Sequence, residues 1–201
     1  MSRLVLRNKC ILVGNVFDSF IVGNAGSGKS ALLQMFHSDG AHYPKNYSMT
    51  LQPEILVKTV AIPDTNVSVE LYLVDFPGHD AFQASFLQTA YGAHSFVLCF
   101  DSTCMESFKA LPKWIAALKK SRTVKGSFSG VLLATKVDAS PRVVSAHQAQ
   151  EFARHNGLGY FECSALNNVE VDSPFYFLSS TFHEIFEEHL KSFTKLDSTG
   201  V

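Results

Sequence analysis

The sequence predicts a single α/β domain with a mostly parallel, doubly wound six-stranded sheet and helices on both faces. Short apolar and β-branched segments alternate with helical patterns from end to end of the chain, as such sheets require. Two neighbouring strand-like segments are joined by only four residues, which indicates one antiparallel hairpin at an edge of the sheet. The 201 residues contain no repeat domain, linker or low-complexity tract, so we expect one domain over residues 1–201.

The elements follow one another in a regular order. Helical periodicity is predicted at residues 29–37, 81–91, 105–120, 145–156 and 174–192. Strands are predicted at residues 55–62, 67–74, 94–100, 130–135 and 159–161, and the turn-rich sequence Pro-Asp-Thr-Asn at residues 63–66 closes the hairpin. We expect the folded core to cover residues 9–192 and residues 193–201 to form a short flexible tail.

The first strand is ambiguous because a short sequence occurs twice. Val13-Gly14-Asn15 is repeated nine residues later as Val22-Gly23-Asn24, so the apolar residues before either copy could occupy the central strand. Only the second copy runs directly into the glycine-rich segment that follows. We therefore predict that residues 19–22 form the strand and that the earlier copy is displaced. Two interpretations of the nine extra residues 16–24 stay open, a true insertion and a retained splice remnant.

Composition excludes several classes of function. The 17 Lys and Arg against 18 Asp and Glu give a net charge of −1, which provides no basic field for nucleic acid. An aromatic content of 12% excludes a disordered chain. Apolar stretches stay below the roughly 18 residues of a membrane span, and the cysteines lack metal-binding spacing. We expect a cytoplasmic protein with reduced, buried thiols.

A glycine-rich segment at residues 23–30 predicts a phosphate-binding site. It has the pattern Gly-x-x-x-x-Gly-Lys-Ser between an apolar strand and a helix. Glycines let successive backbone N–H groups face phosphate oxygens, and the helix N-terminus adds a positive field. Lys29 is expected to reach the β- and γ-phosphates, and the Ser30 hydroxyl to ligate Mg²⁺. The predicted contacts come from Asn24, Ala25, Gly26, Ser27, Gly28, Lys29, Ser30 and Ala31.

Three further segments point to a guanine nucleotide. Asp75 ends an apolar strand shortly before Gly78, so its carboxylate can serve Mg²⁺ through a water while the glycine N–H meets a γ-phosphate. The sequence Thr135-Lys136-Val137-Asp138 supplies a carboxylate that can accept hydrogen bonds from both N1–H and N2–H₂ of guanine, groups that adenine does not offer. A later strand ends in Ser164-Ala165-Leu166, whose backbone can contact guanine O6.

In this order and separation the motifs resemble those of the Ras superfamily of small GTPases, over residues 9–192. The resemblance implies a P-loop GTPase fold that binds GTP or GDP with Mg²⁺. It also implies that Thr50 is the first-switch threonine, which joins the metal when GTP is bound. The metal ligands would then be Ser30, Thr50 and Asp75.

The same resemblance implies how GTP would be hydrolysed. Lys29, Thr50 and His79 would assist the attack of water on the γ-phosphate. His79 stands where most members carry the glutamine that positions this water, so we expect slow hydrolysis. A neutral imidazole can also orient water, and His79 could equally be a surface residue without a role.

A narrower resemblance is to the Rab-like GTPases of intraflagellar transport, on the sequence Ser-Asp-Gly-Ala-His at residues 38–42 and on residues 57–60. It implies a subunit of transport complex B in the cilium or flagellum and its basal region, and a small β-sandwich partner, intraflagellar transport protein 25. The chain ends without a cysteine, so we expect no prenyl anchor. The alternative is a non-hydrolysing structural subunit, and a P-loop kinase is disfavoured.

Overall fold

The computed structural model describes residues 3–14, 26–46, 48–78, 83–121 and 129–198, except for the side chains of residues 83, 84, 121 and 193–198. Strands and helices alternate through these residues, which confirms the predicted α/β class. The strands are β1 (Leu4–Val13), β2 (Glu54–Ala61), β3 (Val67–Asp75), β4 (Ser95–Asp101), β5 (Ser129–Thr135) and β6 (Gly159–Glu162). The helices are α1 (Lys29–His37), α2 (Gln83–Ala90), α3 (Met105–Lys109), α4 (Leu111–Ser121), α5 (Ala146–Asn156) and α6 (Ser173–Ser198).

The strands form one sheet in the order β2-β3-β1-β4-β5-β6. Only β2 and β3 pair antiparallel, and every other neighbouring pair is parallel. The six-stranded sheet with one antiparallel edge hairpin is therefore confirmed. Because the parallel strands all end at the same edge of the sheet, the loops that follow them come together there, and this edge carries the predicted site.

The central strand corrects our prediction for residues 19–22. It is β1, the first copy of the repeated sequence, and it pairs with β3 from Leu4↔Val67 to Leu12↔Asp75 and with β4 on its other side. A ten-residue strand that forms two parallel ladders buries more backbone polar groups in hydrogen bonds than three apolar residues could. The apolar residues at its end, Cys10, Ile11, Leu12 and Val13, are fully buried. Residues 19–22 lie outside the described residues.

Two predicted helix boundaries also differ from those observed. The helix predicted at residues 105–120 is divided into α3 and α4 at Ala110, because Pro112 has no N–H to continue the hydrogen-bond pattern. The last helix, α6, continues to Ser198 and covers most of the predicted tail. No helix in the described ranges is both long and apolar enough to cross a membrane.

The alternation of side chains along β1 divides the core into two layers. Cys10 and Leu12 point toward the layer that contains α1 and α6. Ile11 and Val13 belong to the opposite layer, which α2, α3, α4 and α5 cover. In the first layer the rings of Phe36 and Phe175 stack with centroids 4.0 Å apart, in the second the rings of Phe76, Phe86 and Trp114 meet edge to face. The two layers therefore pack against opposite faces of the sheet.

Candidate functional site

The loops at the carboxyl edge of the sheet surround a cleft of about 400 Å³. Most of the predicted site residues line this cleft, and two others, Asp75 and Ser164, are buried behind its lining. Asn24, Ala25 and His79 lie outside the described residues. The predicted site residues that line the cleft are Gly26, Ser27, Gly28, Lys29, Ser30, Ala31, Thr50, Gly78, Thr135, Lys136, Asp138, Ala165 and Leu166.

The start of α1 has the features of a phosphate-binding helix terminus. Gly26 and Gly28 have positive φ angles of 92° and 75°, which side chains other than glycine rarely adopt. Gly28 is the N-cap of α1 and gives it no side-chain cap, so the first N–H groups of the helix face the cleft. These donors and the helix dipole together favour an anion at this point.

Hydrogen bonds fix the side chain of Lys29 beside this terminus. Its side chain is buried, and its Nζ donates hydrogen bonds to the Gly14 carbonyl at 3.1 Å and to Ser27 Oγ at 3.5 Å. Burial lowers the pKa of the Lys29 ammonium, while the nearby Asp75 carboxylate opposes this change. A phosphate in the cleft would add negative charge beside this buried ammonium and stabilise its charged form.

Gly14, which the sequence analysis did not assign to the site, takes the position next to Lys29. A Cβ atom at residue 14 would lie 2.3 Å from the Cys99 carbonyl oxygen and 2.7 Å from Ser27 Oγ, so only glycine fits. The motif in the sequence begins instead at Gly23, which lies outside the described residues. The repeated Val-Gly-Asn was the available signal, and contiguity with the motif favoured the wrong copy.

Three oxygen-bearing side chains converge beside the phosphate end of the cleft. Ser30 Oγ donates a short hydrogen bond to Asp75 Oδ2 and lies 3.0 Å from Thr50 Oγ1, which is 3.4 Å from the same carboxylate oxygen. Asp75 is buried, and its Oδ1 has no hydrogen-bond partner among the described residues. Two hydroxyls and a carboxylate are the oxygen ligands that Mg²⁺ prefers. The orphaned carboxylate oxygen fits such a cation.

The loop after β5 connects the two ends of the cleft. Thr135 Oγ1 lies 2.8 Å from the Ser27 carbonyl oxygen and 3.0 Å from that of Phe100, so it ties this loop to the phosphate loop. Lys136 has a positive φ of 56°, and its ammonium forms a 2.6 Å ion pair with the buried Asp101 carboxylate at the end of β4. This ion pair was not predicted, because Asp101 belongs to a strand far away in the sequence.

The loop after β6 closes the opposite side of the cleft. Ser164 and Val169 exchange backbone hydrogen bonds of 3.0 and 2.9 Å, and Ser164 Oγ accepts from the Asn167 N–H at 3.0 Å. Ser164 therefore shapes the loop, whereas Ala165 and Leu166 line the cleft. The segment after α1 adds lining residues that the sequence analysis did not assign, including Tyr43, Lys45 and Ser48, for which no motif gave a signal.

Sequence comparisons with known proteins point to the same class of protein as the site. The family model described as the Ras family matches residues 19–184. The intraflagellar transport protein 27 homolog of Bos taurus is 38% identical over 95% of this chain and 98% of that protein. Intraflagellar transport protein 27 of Chlamydomonas reinhardtii is 38% identical, covering 86% of this chain and 87% of its own length. The Ras-related protein Rab-7b of Homo sapiens is 34% identical over 88% of this chain and 89% of its length.

The family match covers more than half of the chain and includes the described phosphate, metal and base loops. The resemblance to small GTPases inferred from the motifs is therefore confirmed, and so is the similarity to the Rab-like proteins of intraflagellar transport. Membership in this family implies guanine-nucleotide binding. This chain belongs to the Ras family of small GTPases.

Proposed function

We propose that this chain is a Mg²⁺-dependent GTP-binding switch with slow hydrolysis, and that it acts as a subunit of an intraflagellar transport complex. The observation that carries the nucleotide part is the convergence of Ser30, Thr50 and Asp75 beside the buried ammonium of Lys29. One end of the cleft thus offers a cation site and a lysine, and the other offers Asp138. A guanosine phosphate has matching groups at both ends.

Each residue has a defined task in this proposal. The Lys29 ammonium leaves the Gly14 carbonyl and neutralises charge on the β- and γ-phosphate oxygens. Ser30 and Thr50 hydroxyls and the Asp75 carboxylate hold Mg²⁺, which shields the phosphate charge when it is bound. Gly78 lines the cleft and offers its N–H to the γ-phosphate. His79 orients water less effectively than glutamine, and hydrolysis is therefore slow.

Base recognition is tested by an Asp138→Asn variant. The carboxylate accepts from N1–H and N2–H₂ of guanine, whereas the amide can donate to the C2 carbonyl of xanthine. We expect this variant to lose GDP affinity and to gain affinity for XDP, as measured by calorimetry. Asp64→Asn is the matched control, because Asp64 lies in the β2–β3 turn at the opposite edge of the sheet. Unchanged GDP affinity in Asp138→Asn would contradict the proposal.

A non-hydrolysing structural subunit is the second candidate. The residue pattern supports it at two points: His79 replaces the usual glutamine, and nine extra residues, 16–24, precede the phosphate loop in the sequence. Single-turnover hydrolysis of γ-labelled GTP distinguishes the candidates. Slow phosphate release that His79→Gln accelerates supports the switch. Bound GTP that stays intact in both proteins supports the structural subunit.

The transport role is supported by the similarity to intraflagellar transport protein 27 from animals and an alga. We propose that the chain joins transport complex B in the cilium or flagellum and its basal region, with intraflagellar transport protein 25 as partner. Purification of the tagged chain from ciliated cells, followed by mass spectrometry, should identify complex B proteins. Recovery without them, from cells that assemble cilia, would contradict this role.

A further inference from the structure

The turn that ends α1 contacts the loop that follows β6. Ser38, Asp39 and Gly40 form this turn, and the Gly40 N–H donates to the Met35 carbonyl at 2.8 Å. The turn is also fastened to β2, because Lys58 donates to the Phe36 carbonyl and forms a 2.7 Å ion pair with Asp39. It is therefore held on both sides.

Gly40 leaves room for the side chain of Asn168. A Cβ atom at residue 40 would lie 2.2 Å from Asn168 Nδ2 and 2.8 Å from its Cγ. Asn168 has a positive φ of 52°, and its N–H donates to the Ala165 carbonyl at 3.4 Å. The same short loop therefore carries the amide that rests on the turn and Ala165, which lines the cleft.

We propose that the turn at residues 38–40 is a positioning element for guanine binding, with Gly40 as the surface against which Asn168 fixes the Ser164–Val169 loop. The inference rests on the proposed function, since it assigns the turn a role in the same nucleotide site. Holding Asn168 in place holds the backbone of Ala165, which is expected to face guanine O6. A loosened loop should release the nucleotide faster.

Gly157 shows that a glycine at the end of a helix does not need a contact like that between Gly40 and Asn168. It caps α5 with a positive φ of 66°, close to the 81° of Gly40. A Cβ atom at Gly157 would meet nothing within 4 Å. The two glycines share the same backbone demand, but only Gly40 meets a neighbouring loop. Gly157→Ala is therefore a matched control for the backbone strain of Gly40→Ala.

The test compares dissociation of a fluorescent GDP from wild type, Gly40→Ala and Gly157→Ala. We expect Gly40→Ala to release it about three- to tenfold faster than the control, the size of coupling usual for contacting residues. Asn168→Gly keeps the backbone conformation, removes the amide and should also speed release. In the double variant Gly40→Ala/Asn168→Gly, the contact is already lost through Asn168→Gly. Adding Gly40→Ala should then accelerate GDP release no more than Gly157→Ala accelerates it in the wild type. Equal release from Gly40→Ala and Gly157→Ala, or fully additive effects, would overturn the proposal.

A base analogue separates positioning from general loosening. The diphosphate of 2-aminopurine riboside lacks O6 and also the N1–H that Asp138 accepts, so it should bind more weakly. Its release should nevertheless not respond to Gly40→Ala, because it has no O6 to meet Ala165. An equal acceleration for both nucleotides would contradict positioning through Ala165. Asn168→Gly changes an exposed residue and keeps the test valid if Gly40→Ala does not fold. Wild type that binds no guanine nucleotide would instead reject the proposed function.

Discussion

Gly14 provides the most specific prediction about the phosphate loop. Gly14→Ala places a methyl group 2.3 Å from the Cys99 carbonyl oxygen and 2.7 Å from Ser27 Oγ, where ordinary contacts are about 3.5–4.0 Å. The first neighbour is backbone inside the sheet, so the loop must move by more than 1 Å or so. Such overpacking costs about 1–3 kcal/mol. If Ser27 and Lys29 move in response, GDP affinity should fall by about tenfold to a hundredfold.

Gly23→Ala is the matched comparison, because Gly23 holds the first position of the motif in the sequence. We expect its GDP affinity to remain within about twofold of wild type, since the carbonyl that binds Lys29 belongs to Gly14. Calorimetric titration of nucleotide-free proteins gives the affinities, and thermal unfolding shows whether each variant is folded. The reverse order, with Gly23→Ala impaired and Gly14→Ala normal, would refute this reasoning.

Three other changes should have distinct effects. Asp75→Asn removes the charge from the proposed Mg²⁺ site, so bound GDP should dissociate faster and its release should no longer respond to EDTA; retained EDTA sensitivity would argue against the site. Burial and the Lys9 ammonium lower the pKa of His94 from 6.5, and its Nδ1 accepts the Lys9 N–H at 3.2 Å. The contribution of neutral His94 to the free energy of unfolding is therefore fully present above pH 6.5 and is lost as the pH falls below it. His94→Asn should flatten the pH dependence of this free energy in urea titrations, and an unchanged pH dependence would exclude His94 as its cause. Phe175→Ala should destabilise the fold by about 3–5 kcal/mol in urea unfolding, and Phe177→Ala, at a side chain 40% exposed, by clearly less; equal losses would contradict the stacked core.

The fold was largely predictable because its periodicities are local. Apolar runs and helical patterns lie within single segments, and parallel strands joined by helices follow from their alternation. The break between α3 and α4 was also visible in principle, since Pro112 stands in the sequence. Its effect was underestimated because the apolar periodicity continues across it.

The choice of the central strand depends on partners that are distant in the sequence. Two charged residues of β1, Arg7 and Lys9, both have tertiary partners. Arg7 Nε lies 3.1 Å from Glu70, and Lys9 Nζ donates to the Tyr91 carbonyl at 2.8 Å. The family model likewise begins at residue 19, after β1 has ended. Local motif continuity favours the second copy, and strand pairing favours the first.

The residues of the site fall into the same two groups, those set by local sequence and those set by distant partners. Residues inside a motif, such as Lys29, Ser30 and Asp138, could be proposed from the sequence because the chemistry fixes their spacing. Gly14 and Asp101 could not, because each acts on a motif residue from a different element. Their roles depend on the meeting of strand ends at one edge of the sheet.

The nucleotide content of the purified protein tests the central claim most directly. The protein is denatured, the released small molecules are separated by ion exchange, and the nucleotide is quantified per protein chain. We expect close to one guanine nucleotide per chain, retained in Mg²⁺ and lost in EDTA. A chain that carries none, and that takes up neither GDP nor GTP when they are supplied with Mg²⁺, would contradict it.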